Sequence, residues 1–202
     1  MACVCVLRAK MKDLARVDVE FSDLQTSGGA SISRDNVTAY YESFLNPVQP
    51  SSVEGGTGLW PDPLIPRVDR YVHETRNAFP FTLGRGRNQP LWVEIFVPPE
   101  ALPGRYSGTA RVTVEGATRL TVPIRLTVWR FTLPSTSTLR SSFGLNGINL
   151  LKQHRGAYTN DDDLHSIVSL YAKAALLHRI SIHGGSLQFP KFSYNAGKMD
   201  LD

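Results

Sequence analysis

The chain has 202 residues, of which 42% are hydrophobic and 20% are charged. This composition can fill the core of one large domain, or of one domain and part of a second, and it excludes a disordered tail. The formal net charge of +4 comes from scattered arginines rather than from a basic block, which argues against a nucleic-acid interface. No apolar run reaches the roughly 18 residues that span a membrane. We therefore expect neither nucleic acid nor a membrane as a partner.

The amino terminus reads MACVCVLRAKMKD. It has neither a basic segment nor a sustained apolar segment, so we predict no signal peptide and leave the compartment open. Cys3 and Cys5 are two apart in a predicted strand that runs from Ala2 to Ala9. They share a face at roughly 6.5 Å, too far for an easy bridge, and we expect buried free thiols. No Cys/His set has zinc spacing, so no metal or cofactor is predicted.

The first half of the chain alternates apolar and polar residues with a period of two. Ala15, Val17, Val19 and Phe21 are predicted to share the buried face of one strand. A third strand is predicted over residues 36–45. Residues 46–80 are rich in proline and glycine and are predicted to form a long loop, within which WPDPLIP is an ordered apolar segment.

Two hairpins are predicted next. The stretch Asn88 to Val114, NQPLWVEIFVPPEALPGRYSGTARVTV, contains two strand-like runs joined by a proline-rich turn. The second hairpin passes through EGAT into RLTVPIRLTVW, where Pro123 indicates an edge strand or a bulge. Strands at short spacing with turn signals are typical of an antiparallel, immunoglobulin-like β-sandwich.

Four large aromatic residues fall on the predicted outer faces of these strands: Trp92, Phe96, Trp129 and Phe131. They could cover the sheet locally, dock the sandwich on a neighbouring domain, or stack on sugar rings. We favour docking, because the last two lie where the sandwich ends.

The pattern changes after Pro134, so we predict a β-sandwich domain over residues 1–134 and β/α elements over 135–202. A short strand from Leu139 to Gly144 is followed by a helix at 162–179 and by the apolar run ISIHGG. Asp161, Asp162 and Asp163 are expected to cap the helix rather than to bind metal. The apolar helix face needs a partner, which predicts loose packing, contact with the sandwich, or self-association through 162–179.

An ordered series of motifs carries a resemblance to a known family. VCVLRA, VDVEFSDL, GLWPDPLIP, the stretch 88–114 and VPIRLTVWRFTLPSTSTLRSSFG occur in the order found in glycoside hydrolase family 123-like proteins. The resemblance covers roughly residues 2–185. It implies a mainly β architecture at the amino terminus, a sandwich followed by a (β/α)8 barrel. Members of the family are often secreted.

The resemblance also implies a chemistry. Family members act on β-linked N-acetylgalactosamine, with an Asp that orients the substrate acetamido group and an adjacent Glu as acid/base. No Asp in this chain is followed directly by Glu, so we expect a truncated, non-catalytic amino-terminal region and no catalytic residue. The alternative is a stand-alone immunoglobulin-like module that binds carbohydrate or protein.

Within this resemblance, LRSSFG corresponds to the first barrel strand and ISIHGG to the second. Barrel enzymes place functional groups at the carboxyl ends of their strands. The residues near those ends are Ser142, Phe143 and His183. They are the candidate substrate contacts, and packing at the barrel mouth is the alternative.

Overall fold

The structure is a computed structural model of the whole chain. It describes residues 1–135, 137–139, 141–154, 161–183, 192–195 and 198–201. The chain divides into two compact units, Met1–Thr132 and Leu133–Asp202. The strands of the first unit are β1 (Ala2–Arg8), β2 (Leu14–Phe21), β3 (Leu24–Gln25), β4 (Ser31–Ile32), β5 (Val37–Leu45), β6 (Trp60–Ile65), β7 (Phe81–Leu83), β8 (Asn88–Ile95), β9 (Gly104–Val114) and β10 (Ala117–Val128).

One sheet of the first unit has four strands in the order β1-β8-β5-β6, all antiparallel. The inward residues of its central strand β8, Leu91, Val93 and Ile95, are buried. Alternation along β8 therefore follows the sequence pattern, with apolar side chains on one face and Trp92 and Glu94 on the other.

The other sheet has six strands in the order β4-β3-β9-β2-β7, with β10 paired along the free side of β9. Strand β9 crosses the break between β2 and β3 at Gly108. A Cβ atom there would lie 2.5 Å from Leu24 Cδ2 and 2.8 Å from the Asp23 carbonyl oxygen. Only glycine fits this close approach of two backbones.

The two sheets share one core and form a β-sandwich. Its buried residues come from both sheets and include Val17, Leu24, Leu91 and Tyr106. The buried Tyr106 hydroxyl donates a hydrogen bond to the Leu102 carbonyl oxygen at 2.8 Å, which satisfies its polar atom. The predicted mainly β, antiparallel fold is confirmed.

Four local predictions for this unit are wrong. Residues 88–114 do not form a hairpin, because β8 and β9 belong to different sheets. The predicted loop 46–80 contains β6, which pairs with β5. Ala15 is exposed because Arg16 has a φ of 50°, and the β2–β7 register shifts there. Cys3 is exposed and Cys5 is only partly buried, because β1 lies at a sheet edge.

The second unit contains β11 (Phe143–Gly144), α1 (Gly147–Gln153), α2 (Asp161–Leu177), β12 (Ile182–His183), β13 (Phe192–Asn195) and β14 (Lys198–Leu201). Strands β11 and β12 pair in parallel, and β13 and β14 pair antiparallel. Helix α1 and the β13–β14 pair are additions to the sequence prediction. The helix predicted at 162–179 is α2. No helix in the described ranges is long and apolar enough to cross a membrane.

Candidate functional site

The outer face of the four-stranded sheet carries an aromatic and acidic group. Strand β8 lies between β1 and β5, so Trp92 is directly opposite Val4 on one side and Tyr40 on the other. Trp92 is partly buried, and Val4 is 50% exposed. This position gives the Trp92 ring aliphatic and aromatic neighbours across the strands and leaves part of it accessible.

Tyr40 and Glu94 form the polar part of this group. The Tyr40 hydroxyl donates a hydrogen bond to Glu94 Oε2 at 3.0 Å, across the diagonal between β5 and β8. Burial, followed by this hydrogen bond and the carboxylate charge, raises the pKa of Tyr40 to about 12. The phenol therefore stays protonated at neutral pH and can act as a donor.

This arrangement can bind but offers little for hydrolysis. A partly exposed indole next to a hydroxyl and a carboxylate is a combination that recognises sugars, through stacking and hydrogen bonds. Glycoside hydrolysis generally needs two acidic groups in defined positions, and Glu94 is one carboxylate paired with a neutral phenol. We name Tyr40, Trp92 and Glu94 the sheet-face group.

Sequence reasoning identified Trp92 but missed Tyr40 and Glu94. Glu94 had a signal, since it lies on the polar side of an alternating strand, whereas the predicted strand over residues 36–45 is less clearly sided and gave none for Tyr40. What the sequence could not supply was the register between β5 and β8 that brings the two side chains together.

The other predicted aromatic residues lie elsewhere. Phe96 follows β8 and is 60% exposed, and its N–H donates to the Asn36 carbonyl oxygen at 2.8 Å. Trp129 and Phe131 follow β10, in the six-stranded sheet. Their rings are edge-to-face with centroids 6.2 Å apart, and they are 69% and 66% exposed. The aromatic residues therefore belong to different sheets, and their role in docking stays a prediction.

The arginines of the loop after β6 are organised by ion pairs. Arg67 forms an ion pair with Asp18 of β2 and donates to the Val19 carbonyl oxygen at 2.8 Å. Its guanidinium also lies 4.6 Å from the centre of the Phe79 ring, a favourable cation–π distance. These contacts attach the loop to the six-stranded sheet.

Asp69 fixes the turn in the same loop. Burial pushes the pKa of Asp69 upward, but hydrogen bonds from the Tyr71 and Val72 N–H groups and from Arg76 outweigh burial and lower it. Arg76 also pairs with Glu74 at 2.6 Å. The acid is therefore a structural element of the turn, which the bridge between Val68 and Thr75 closes.

In the second unit, the structure brings two of the three predicted substrate contacts onto the parallel strand pair. Phe143 is opposite Ile182, and His183 is opposite Gly144; the Leu145 N–H donates to the His183 carbonyl oxygen at 3.0 Å. Ser142 immediately precedes β11. Ser142, Phe143 and His183 are all exposed, and their contact with a substrate stays a prediction.

A cavity of about 380 Å³ lies at one end of the six-stranded sheet, between the β1–β2 connection and the β9–β10 turn. Its charged lining residues are Lys12, Asp13, Glu115 and Arg119, two of each sign. In the described part of the chain, no group of three or more His, Cys, Asp or Glu side chains could hold a metal ion.

The fold defines the class of this protein as an antiparallel β-sandwich. The family described as the glycoside hydrolase 123 N-terminal domain matches residues 3–114. The chain belongs to this family, and the resemblance found in the sequence is confirmed.

A solved structure gives the same fold. It is described in a study of glycolipid glycan hydrolysis by a family 123 glycoside hydrolase from Clostridium perfringens. The TM-score is 0.68 at 15% sequence identity, with all of this chain and 37% of that chain covered. This chain therefore spans little more than a third of that hydrolase. No curated protein matches the chain.

Proposed function

We propose that this chain is the non-catalytic amino-terminal region of a glycoside hydrolase-like protein. The observation that carries the proposal is the family match, which covers an amino-terminal domain and stops at residue 114. The solved hydrolase that shares the fold has most of its chain outside the aligned part. The sandwich is then a scaffold for a protein whose chemistry lies elsewhere.

The chemistry of the acidic residues supports the same proposal. Substrate-assisted hydrolysis, as the family resemblance implies it, needs an Asp that orients the acetamido group and an adjacent Glu. No Asp-Glu dipeptide occurs in the sequence. On the sheet face, Glu94 accepts from Tyr40, so one of its oxygens is already engaged.

The second unit supports a barrel start over residues 135–202. Strands β11 and β12 are parallel neighbours, and α1 and α2 lie between them in the chain. A strand–helix–strand crossover with parallel strands is the repeating unit of a (β/α)8 barrel. The remaining strands and helices would have to come from chain outside this sequence.

A hydrolysis assay with an aryl β-N-acetylgalactosaminide tests the proposal. We expect the 202-residue chain to release no more aryl alcohol than the buffer control. Glu94→Gln is the matched variant, because it removes the carboxylate of the sheet-face group and keeps the side-chain shape. Turnover above the blank that falls in Glu94→Gln would contradict the proposal and assign a site on the sandwich.

The sheet-face group favours a second candidate function, carbohydrate binding. Titration with N-acetylgalactosamine, followed by tryptophan fluorescence, separates it from an inert scaffold. Saturable binding that is lost in Trp92→Ala and retained in Trp129→Ala would support a binding role for the sheet face. The absence of binding at millimolar sugar would remove this candidate and leave the scaffold proposal intact.

A further inference from the structure

The sheet edges of the first unit are protected unequally. Sheet edges expose unpaired backbone groups, and proteins protect them with proline, with charge or by keeping the edge strand short. Strand β6 contains Pro61 and Pro63, and β10 contains Pro123 with exposed arginines. The remaining edge strands, β4 and β7, have two and three residues.

Strand β1 has less protection, namely a single charged residue at its carboxyl end. It is the outermost strand of the four-stranded sheet, seven residues long, with no proline and with Arg8 as its one charged residue. Val4 and Val6 are 50% and 58% exposed. A long, apolar and weakly protected edge is a ready site for pairing with another strand.

The hydrogen bonds of β8 determine which backbone groups of β1 face the free edge. Met1 N donates to the Ile95 carbonyl oxygen at 2.8 Å, and Ile95 N–H donates to the Met1 carbonyl oxygen at 2.7 Å. Bonded and non-bonded pairs alternate in an antiparallel ladder. Cys3, Cys5 and Leu7 therefore bond to β8.

The alternate residues point the other way. Ala2, Val4, Val6 and Arg8 direct their N–H and C=O groups away from β8. These four residues, with one N–H and one C=O each, present eight backbone hydrogen-bonding groups along one line. Among the described residues, no strand lies on this outer side of β1 to bond with these groups.

We propose that β1 pairs antiparallel with β1 of a second copy of this chain. The two four-stranded sheets then join into one sheet of eight strands across a two-fold axis. The register that uses the whole of β1 places the axis at Cys5. Ala2 then lies opposite Arg8 of the second copy, and Val4 lies opposite its Val6.

Charge complementarity favours a second copy as the occupant. Within one copy, Glu94 of β8 is opposite Ala2 of β1. In the proposed register, Ala2 is in turn opposite Arg8 of the other copy, so these three residues lie side by side across the joined sheet. Glu94 and Arg8 of the other copy are two strand spacings apart, about 9.6 Å. Their long side chains can meet above Ala2, because the alanine side chain between them is small. Glu94 Oε1 accepts no hydrogen bond in the described part of the chain, and the two-fold axis makes this pair twice.

The same pair cannot form within one chain. Arg8 is opposite Asn88, six residues along β8 from Glu94, which corresponds to roughly 20 Å. A coupling between Arg8 and Glu94 would therefore report contact between copies. This separation makes charge reversal a test of the proposed interface.

Sedimentation velocity of the 202-residue chain over a concentration series is the first measurement. A strand-to-strand contact is smaller than a standard interface, so we expect a reversible dimer with a Kd on the order of micromolar. The Val4 N–H points outward and makes no hydrogen bond to β8, so Val4→Pro removes only a group of the free edge and should abolish the dimer. Val4→Thr keeps this N–H and should retain the dimer. Circular dichroism of each variant verifies the fold.

Charge reversal gives the second measurement. Arg8→Glu faces Glu94 of the other copy, and Glu94→Arg faces its Arg8, so each variant alone should dimerise at least about tenfold more weakly. An equimolar mixture should restore the dimer, because both contacts in the mixed pair then join opposite charges. No such recovery is expected if the two residues never meet.

Mild oxidation with diamide, which takes up the two thiol hydrogens, tests the register. Cys5 of each copy would be a non-hydrogen-bonded pair at about 4.5 Å between Cα atoms, within disulfide reach. We expect a covalent dimer in Cys3→Ser and none in Cys5→Ser. A chain that stays monomeric at about 0.5 mM would overturn the proposal, and the edge would then be open to a different strand. A dimer that survives Val4→Pro would also overturn it, because the interface would then lie on another surface, such as α2.

Discussion

The two units of the chain differ in how much apolar surface they bury. The sandwich has a single core to which both sheets contribute, whereas the described part of the second unit has one small cluster of three buried residues, Leu150, Ile167 and Val168. Because burial of apolar surface dominates folding free energy, most of the stability should reside in the sandwich. The helices of the second unit should open at lower free energy than the β-strands.

Truncation of the sandwich core is expected to give the largest effect. Leu24 is fully buried, so Leu24→Ala should lower the free energy of unfolding by about 2–5 kcal/mol through lost burial and a residual cavity. Leu102→Ala is the control, because Leu102 is 63% exposed, and it should change stability by less than about 0.5 kcal/mol. Urea denaturation followed by circular dichroism measures both. Equal effects would show that the core does not carry the stability of this unit.

A smaller and local effect is expected in the second unit. Ile167 is 1% exposed in the three-residue cluster, so Ile167→Ala should raise amide exchange rates across α2 at least about tenfold. Exchange in β5 and β8 should be unchanged. Leu176→Ala, at an exposed position of the same helix, is the matched control. A uniform change in both units would mean that they unfold together, and the comparison between them would fail.

The smallest effect concerns pH and is confined to the sandwich. The folded pKa of Tyr40 is about 12, above the unfolded value of roughly 10. As pH rises, the unfolded chain therefore loses the Tyr40 proton before the folded chain does. The contribution of protonated Tyr40 to the free energy of unfolding is fully present below about pH 10 and is lost as pH rises to about 12. Tyr40→Phe should show a shallower loss of stability over this window. Identical pH slopes in the two proteins would contradict the assignment.

Glu94→Gln sharpens the same prediction. Without the carboxylate charge, the pKa of Tyr40 should fall towards its usual range, although burial keeps it raised. The phenolate absorbance of Glu94→Gln, compared with that of the unmodified chain, measures this shift. An unchanged titration would show that burial alone sets the Tyr40 pKa.

Much of the sandwich follows from the sequence, because alternation in β2 and β8 is a local property. Which strands become neighbours is not local. The connection between β8 and β9 could turn back or cross to the other sheet, and the sequence does not distinguish these paths. Strand β6 was predicted as loop because of its prolines, yet an edge strand tolerates proline where the missing N–H would face outward.

The second unit shows another limit. Helix α1 spans seven residues, too few for apolar periodicity to be visible. Its start had a local signal, since the Asn146 side chain accepts from the Asn149 N–H at 3.0 Å, as N-cap residues do. The sheet-face group was only partly predictable, because Tyr40 and Glu94 are 54 residues apart and meet through register alone.

The pairing of β1 with β8 has a consequence during synthesis. Arg8 pairs with Asn88 and Ala2 with Glu94, so the ribosome must add about 80–90 residues before β1 meets its neighbour. At typical elongation rates of about 5–20 residues per second this takes roughly 4–18 s. Throughout that interval β1 has both edges open and two thiols exposed. An unpaired strand edge is prone to aggregation, so shielding of β1 by a chaperone during this interval would protect the nascent chain.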